Sequence, residues 1–196
     1  MARIAHRIEP SRDQLRTVEG GQTLKYPVNL VAEEIRKEAQ KRGIGGNTFI
    51  VRSGYRSVAQ QEILWRRALE KYGSAAQARK YVAPPGNSAH HTGGAIDFDL
   101  GLSTCCSKEL IPEYRKTKAY KFLQEVAPKY KLSPYDAEPW HWECDAACEQ
   151  NILDLLENTG DGSAFSKISK TAKYAGLTLG FVVLGLGSFL LVKGFD

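Results

Sequence analysis

The chain has 196 residues, of which 42% are hydrophobic and 25% charged, a balance that excludes wholesale disorder and leaves room for one ordinary domain with a core plus an appendage. Its net charge of +5 favours anionic surfaces such as phospholipid or cell-wall polymer. The basic residues form no long run, so nucleic acid is not an expected partner.

The N-terminal stretch "MARIAHRIEPSRDQ" carries basic residues but no apolar segment after them, and is read as lacking a secretory signal peptide. His6, in this unpatterned stretch, is read as a surface residue. "NLVAEEIRKEAQKRG" places Val31, Ile35 and Ala39 on one helical stripe and stops at Gly43. "NTFIVRS" (47–53) is β-branched and apolar and predicts a strand. Ser57 is suited to cap a helix running to about Tyr72, with Ile63, Leu64 and Ala68 facing inward. "GAIDFDL" (94–100) alternates as a second strand. Ala119, Phe122, Leu123 and Val126 follow helical spacing. "EPWHWEC" (138–144) predicts a third strand or its approach, and "ACEQNILDLLEN" closes the domain as a helix. The fold class is therefore α+β, a small antiparallel sheet flanked by helices, within a domain of residues 1–157.

The character then changes. Residues 158–173 are polar, small and Gly/Ser-rich, a flexible linker. Residues 174–192, "YAGLTLGFVVLGLGSFLLV", carry no charge and as a helix would cover about 28 Å, close to the hydrocarbon layer of a bilayer. They predict a C-terminal transmembrane helix, followed by a short tail at 193–196. Gly176 and Gly180 form a G-x-x-x-G pair suited to helix packing. Lys167, Lys170 and Lys173 before the span, against Lys193 after it, favour an inward-facing domain. A hydrophobic tail buried in a protein assembly is the alternative.

Cys105, Cys106, Cys144 and Cys148 fit no common zinc finger or ribbon spacing. Disulfides between the two clusters, which would imply an oxidising compartment, stand beside four reduced thiols; sequence does not choose among the three pairings.

The chemistry concentrates in "SAHHTGGAID" (88–97). A hydrolytic zinc site needs three protein ligands and an open position. Asp97 lies on the second strand, His90 just upstream across the bend allowed by Gly93 and Gly94, and His141 in "EPWHWE" is the obvious third donor, with Glu138 three residues before it as a nearby carboxylate base.

These segments resemble the VanY-like zinc D-alanyl-D-alanine peptidases of the LAS metallopeptidase group. "SAHHTGGAID" fits their S-x-H-x-x-G-x-A-x-D pattern, "EPWH" their E-P-W-H element, and "SGYRSVAQQ" (53–61) their S-G-Y-R-S-x-x-x-Q segment, in family order across roughly residues 45–145. The resemblance implies that His90, Asp97 and His141 bind one Zn²⁺ and that Glu138 is the general base. It further implies that Arg56 stabilises the oxyanion or grips substrate, and that Ser88 and Gln61 support substrate binding. His91 is left as a neighbour pointing elsewhere. Where the family often continues after E-P-W-H with an aromatic residue, arginine and tyrosine, this chain has Trp142, Glu143 and Cys144, which removes a cation near the site. A cysteine thiolate as replacement zinc ligand is the less favoured reading.

The implied function is hydrolysis of peptidoglycan stem peptides, at D-Ala-D-Ala or at a related bond such as L-Ala-D-Glu. Peptidoglycan lies outside the cytoplasmic membrane while the lysine flank points the domain inward. A bacteriophage enzyme on a virion membrane or tail, alongside other virion or envelope proteins, reconciles the two. The alternative is a membrane-anchored structural or binding protein with a non-catalytic zinc domain, since Hedgehog-type domains share this architecture.

Overall fold

The computed structural model describes residues 9–158. The linker from 159, the predicted membrane span at 174–192, the tail and His6 lie outside the described residues. Asn158, read above as the first linker residue, is the last residue of a helix. Among the described residues no helix is long and apolar enough to cross a membrane.

Among the described residues, two antiparallel sheets and six α-helices make an α+β fold. Strands β1 (Leu15–Thr17) and β2 (Thr23–Lys25) form a hairpin, with Arg16 opposite Leu24. Helix α1 (Val28–Lys41) follows, and its predicted stripe of Val31, Ile35 and Ala39 is fully buried. Gly43 ends this region at a φ of 74°, a left-handed conformation that suits glycine. Strand β3 (Val51–Ser53) leads to helix α2 (Val58–Tyr72), which starts where Ser57 accepts the Gln60 N–H and stops at left-handed Gly73. A short helix α3 (Ala75–Ala78) comes next, then strand β4 (Ala95–Phe98). Helices α4 (Ile111–Lys116) and α5 (Lys118–Val126) precede strands β5 (Ser133–Pro134) and β6 (His141–Glu143). Helix α6 (Ala146–Asn158) ends the described chain.

The larger sheet has the order β3-β4-β6-β5. Its inner strand β4 is buried along its whole length, Asp97 included, although residues 94–100 alternate in sequence. The four predicted inward positions of α5 are all buried, and they join Val51, Ile96, Phe98 and Trp142 in one hydrophobic core.

Three expectations are corrected. The strand predicted for 47–53 is only Val51–Ser53, because Phe49 adopts a positive φ of 63° and turns the chain. Its apolar character serves the core instead: the Phe49 ring packs edge-on against Phe98 and Phe122, with centroids 5.7 and 5.4 Å away. Ile63 faces outward and is 45% exposed, since α2 turns Gln61 and Ala68 inward and Ile63 lies about 200° around the helix from Gln61.

The third concerns the cysteines. Bonds join Cys144 to Cys148 and Cys105 to Cys106, within each cluster rather than across them. Strand β6 runs almost directly into α6, where Asp145 Oδ1 accepts the Cys148 N–H at 2.9 Å, so a single turn brings Cys148 to Cys144. With all four sulfurs bonded, no thiolate is available to replace a metal ligand.

Candidate metal centre

Asp97 and His141 are direct cross-strand partners on β4 and β6, so their side chains rise from the same face of the sheet. His90 comes from a short 3-10 turn, Ala89–Thr92, whose start is capped by Ser88 Oγ accepting the His90 N–H at 3.3 Å. The turn ends at Gly93, with a φ of 72°; a Cβ there would stand 2.9 Å from Lys25 Cβ. At Gly94 a Cβ would meet the Cys144 carbonyl at 2.5 Å. The glycines thus let the turn fold tightly against both sheets.

Donor atoms of His90, Asp97 and His141 lie within 4.8 Å of one another, and all three residues are buried. The His90 and His141 rings meet edge-on, centroids 5.0 Å apart. The other ring nitrogens are committed. His90 Nδ1–H donates to the Gly54 carbonyl at 2.7 Å, which leaves Nε2 facing Asp97 Oδ2 at 3.4 Å. His141 Nε2–H donates to Glu143 Oε1 at 3.0 Å, which turns Nδ1 towards Asp97 Oδ1 at 2.8 Å. Two oriented imidazoles and a carboxylate, each imidazole braced through its far nitrogen, suit a tetrahedral divalent metal of the zinc type.

The electrostatics agree with this geometry. Burial pushes the Asp97 carboxyl up, but the two imidazoles outweigh it and hold it far below the usual carboxylate range. Burial pushes the His141 imidazole down, yet its hydrogen bonds to Asp97 and Glu143 prevail and raise it to about 9. In the metal-free protein a proton on His141 Nδ1 therefore bridges to Asp97, at the position a metal would take.

The predicted arginine segment is knitted to the histidine turn by three hydrogen bonds. His90 Nδ1 reaches Gly54, the Arg56 N–H donates to the His90 carbonyl at 3.1 Å, and His91 Nδ1 donates to the Arg56 carbonyl at 2.7 Å. Gly54 permits this approach: a Cβ there would lie 2.2 Å from the Thr23 carbonyl oxygen. His91 points away from the metal donors, is fully buried, and accepts the Gly86 N–H on Nε2 at 3.1 Å.

Arg56 lines the same cleft as the three donors, with a volume of about 320 Å³. Its guanidinium donates to Gln61 Oε1 at 2.8 Å and to Ser53 Oγ at 2.7 Å. Burial lowers its pKa, opposed by Asp97 and Glu138. Gln61 is buried, its amide divided between Arg56 and the Ala83 carbonyl at 2.7 Å, so it orients the arginine from behind. Ser88 lines the cleft besides capping the turn. Glu138 sits on the turn that leads into β6, where its carbonyl accepts the His141 N–H at 2.8 Å, and its carboxylate pairs with Lys108 at 3.0 Å.

Two contributors were not read from the sequence. Glu143 had a signal available, because residues two apart on a strand share a face and His141 is two before it. Lys108 had none; only the fold brings it to Glu138.

A family model described as VanY, D-alanyl-D-alanine carboxypeptidase, matches residues 22–147. The bifunctional D-Ala-D-Ala dipeptidase and D-Ala-D-Ala carboxypeptidase VanXYC of Enterococcus gallinarum is 30% identical over 124 residues, 57% of this chain and 63% of the relative. The D-alanyl-D-alanine carboxypeptidase of Enterococcus faecium is 28% identical over 113 residues, 55% of this chain and 33% of the relative. The chain thus spans less than two thirds of the length of either relative. Among solved structures, the LdcB LD-carboxypeptidase shares the fold, with a TM-score of 0.55 at 23% identity over 78% of this chain and 76% of that one.

Proposed function

We propose, since the chain belongs to the VanY family of D-alanyl-D-alanine carboxypeptidases, that it is a zinc-dependent peptidase acting on the D-Ala-D-Ala end of peptidoglycan stem peptides. The observation that carries this reading is the convergence of His90, Asp97 and His141 at a cleft that Glu138 and Arg56 also line. The family relatives named above act on D-Ala-D-Ala, and the donor set fits Zn²⁺.

A Zn²⁺ held by His90, Asp97 and His141 would supply Lewis acidity, lowering the pKa of a coordinated water to about 7. Glu138 takes the proton from the attacking water and hands it to the departing amine. Arg56, held by Gln61 and Ser53, presents a fixed cation to the charge that develops on the peptide carbonyl oxygen. No side-chain nucleophile is required.

The same proposal places the domain on a membrane through residues 174–192, in a phage particle or a bacterial envelope. The uncharged span and its lysine flank support this. Fractionation of the full chain against one ending at residue 160 tests it: the first should sediment with membranes and the second should not.

The decisive experiment for the activity incubates the zinc-loaded full chain with purified peptidoglycan and with a D-Ala-D-Ala-terminated stem peptide, reading products by mass spectrometry. Release of terminal D-Ala, abolished by a chelator and by Glu138→Ala, supports the reading. A folded, zinc-bound protein that cleaves no wall peptide would turn it towards a non-catalytic zinc domain.

A further inference from the structure

Lys108 lies between β4 and α4, remote in sequence from every motif of the site. Its ammonium nevertheless forms an ion pair with Glu138 Oε1 at 3.0 Å, donates to the Lys80 carbonyl at 2.8 Å, and sits 5.6 Å from the centre of the Tyr81 ring. Lys80, Tyr81 and Ala83 line one part of the cleft, and Cys106, from the same segment as Lys108, lines another. One side chain thus joins the 80–81 lining of the cleft to the Glu138 carboxylate.

The arrangement is poorly suited to stabilising the fold. The Lys108 side chain is 30% exposed, and a single solvated ion pair contributes little because water screens it and two long side chains must be ordered. It is well suited to holding Glu138 still. A free glutamate rotates about three bonds, whereas a general base must stay within hydrogen-bond reach of its proton. Displacing a reacting group by about 1 Å can cost about 100-fold in rate. Lys108 pairs with Oε1 at 3.0 Å.

We infer that Lys108 is a positioning residue for Glu138, clamping the base and the 80–83 wall into one working geometry. The inference rests on the peptidase reading above. It concerns where the Glu138 carboxylate sits, and Lys108 itself touches no reacting atom.

The test uses the zinc-loaded full chain as wild type, Lys108→Met and Lys108→Arg. Lys108→Met is expected to lower kcat at least tenfold while KM changes less than threefold and zinc content and Tm stay at wild-type values. Lys108→Arg, which keeps a cation beside Oε1, should recover kcat to within about threefold. Crystal structures of wild type and Lys108→Met give a readout independent of turnover: Glu138 should hold one rotamer in the first and leave it in the second. A Glu138 rotamer unchanged in Lys108→Met overturns the inference, as does a kcat within twofold of wild type. Loss of zinc or of Tm in both variants overturns it too, since that marks a role in folding. A wild type that releases no D-Ala defeats the peptidase reading instead, and the Glu138 rotamer still decides whether Lys108 positions it.

Discussion

Glu143 and His141 stand two residues apart on β6, and Glu143 Oε1 accepts the His141 Nε2 proton at 3.0 Å while His141 Nδ1 faces Asp97. The carboxylate therefore chooses which imidazole nitrogen is offered to a metal. Replacing it by alanine frees the ring to rotate and to adopt the other tautomer. Glu143→Ala should weaken zinc binding by about 10- to 100-fold, read by competition with a chromogenic chelator. Glu143→Gln, which keeps an acceptor oxygen, should lose less. Equal affinity in Glu143→Ala and wild type would remove Glu143 from the site.

Zinc binding should depend on pH through the same histidine. Burial alone would lower the His141 pKa, but Asp97 and Glu143 raise it to about 9, so at neutral pH the metal-free ring carries an extra proton that the metal must displace. Below pH 9 the apparent affinity should rise about tenfold per unit, then level off once the ring is neutral. Calorimetry at pH 7.5 in buffers of different ionisation enthalpy should report about one proton released per zinc. No proton release would show that His141 is already neutral in the free protein.

Gly54→Ala forces a methyl against the Thr23 carbonyl, 2.2 Å from the ideal Cβ, in the segment whose carbonyl holds His90. Overpacking of this kind costs about 1–3 kcal/mol, and urea denaturation should show it together with weakened zinc binding. Gly45 has no neighbour within 4 Å of a Cβ, so Gly45→Ala should stay within about 0.5 kcal/mol of wild type.

Alkaline stability should carry the signature of Tyr130. Burial, reinforced by Glu34 and Glu38, pushes its phenol up to about 12 from the ordinary 10. The folded state therefore favours the neutral form. The contribution is intact below pH 10 and is lost as pH rises from 10 to 12, a fall of about 3 kcal/mol. Tyr130→Phe, which cannot ionise, should flatten that fall in chemical denaturation at pH 9, 10 and 11. An identical decline in both proteins would assign the loss to other groups.

Much of the fold was legible because it rests on local periodicity. The α1 and α5 stripes, the Ser57 cap and the Gly43 stop are dictated by neighbours within a few residues. Phe49 and Ile63 misled the same reasoning. An apolar residue in a turn that plugs the core looks like a strand residue, and an exposed isoleucine on α2 looks like an inner one. The cysteine pairing was not legible either, since spacing says nothing about how directly β6 leads into α6.

By itself the sequence determined the α+β class and the three motifs, and the family resemblance those motifs carry pointed to His90, Asp97 and His141 as the candidate metal donors. It left open how those donors are held. The Gly54 carbonyl behind His90, the Gln61 amide behind Arg56 and the Lys108 ammonium on Glu138 are contacts between segments distant in the chain. Such contacts depend on packing across the core and on the register of β4 against its neighbours, so only the tertiary structure decided them.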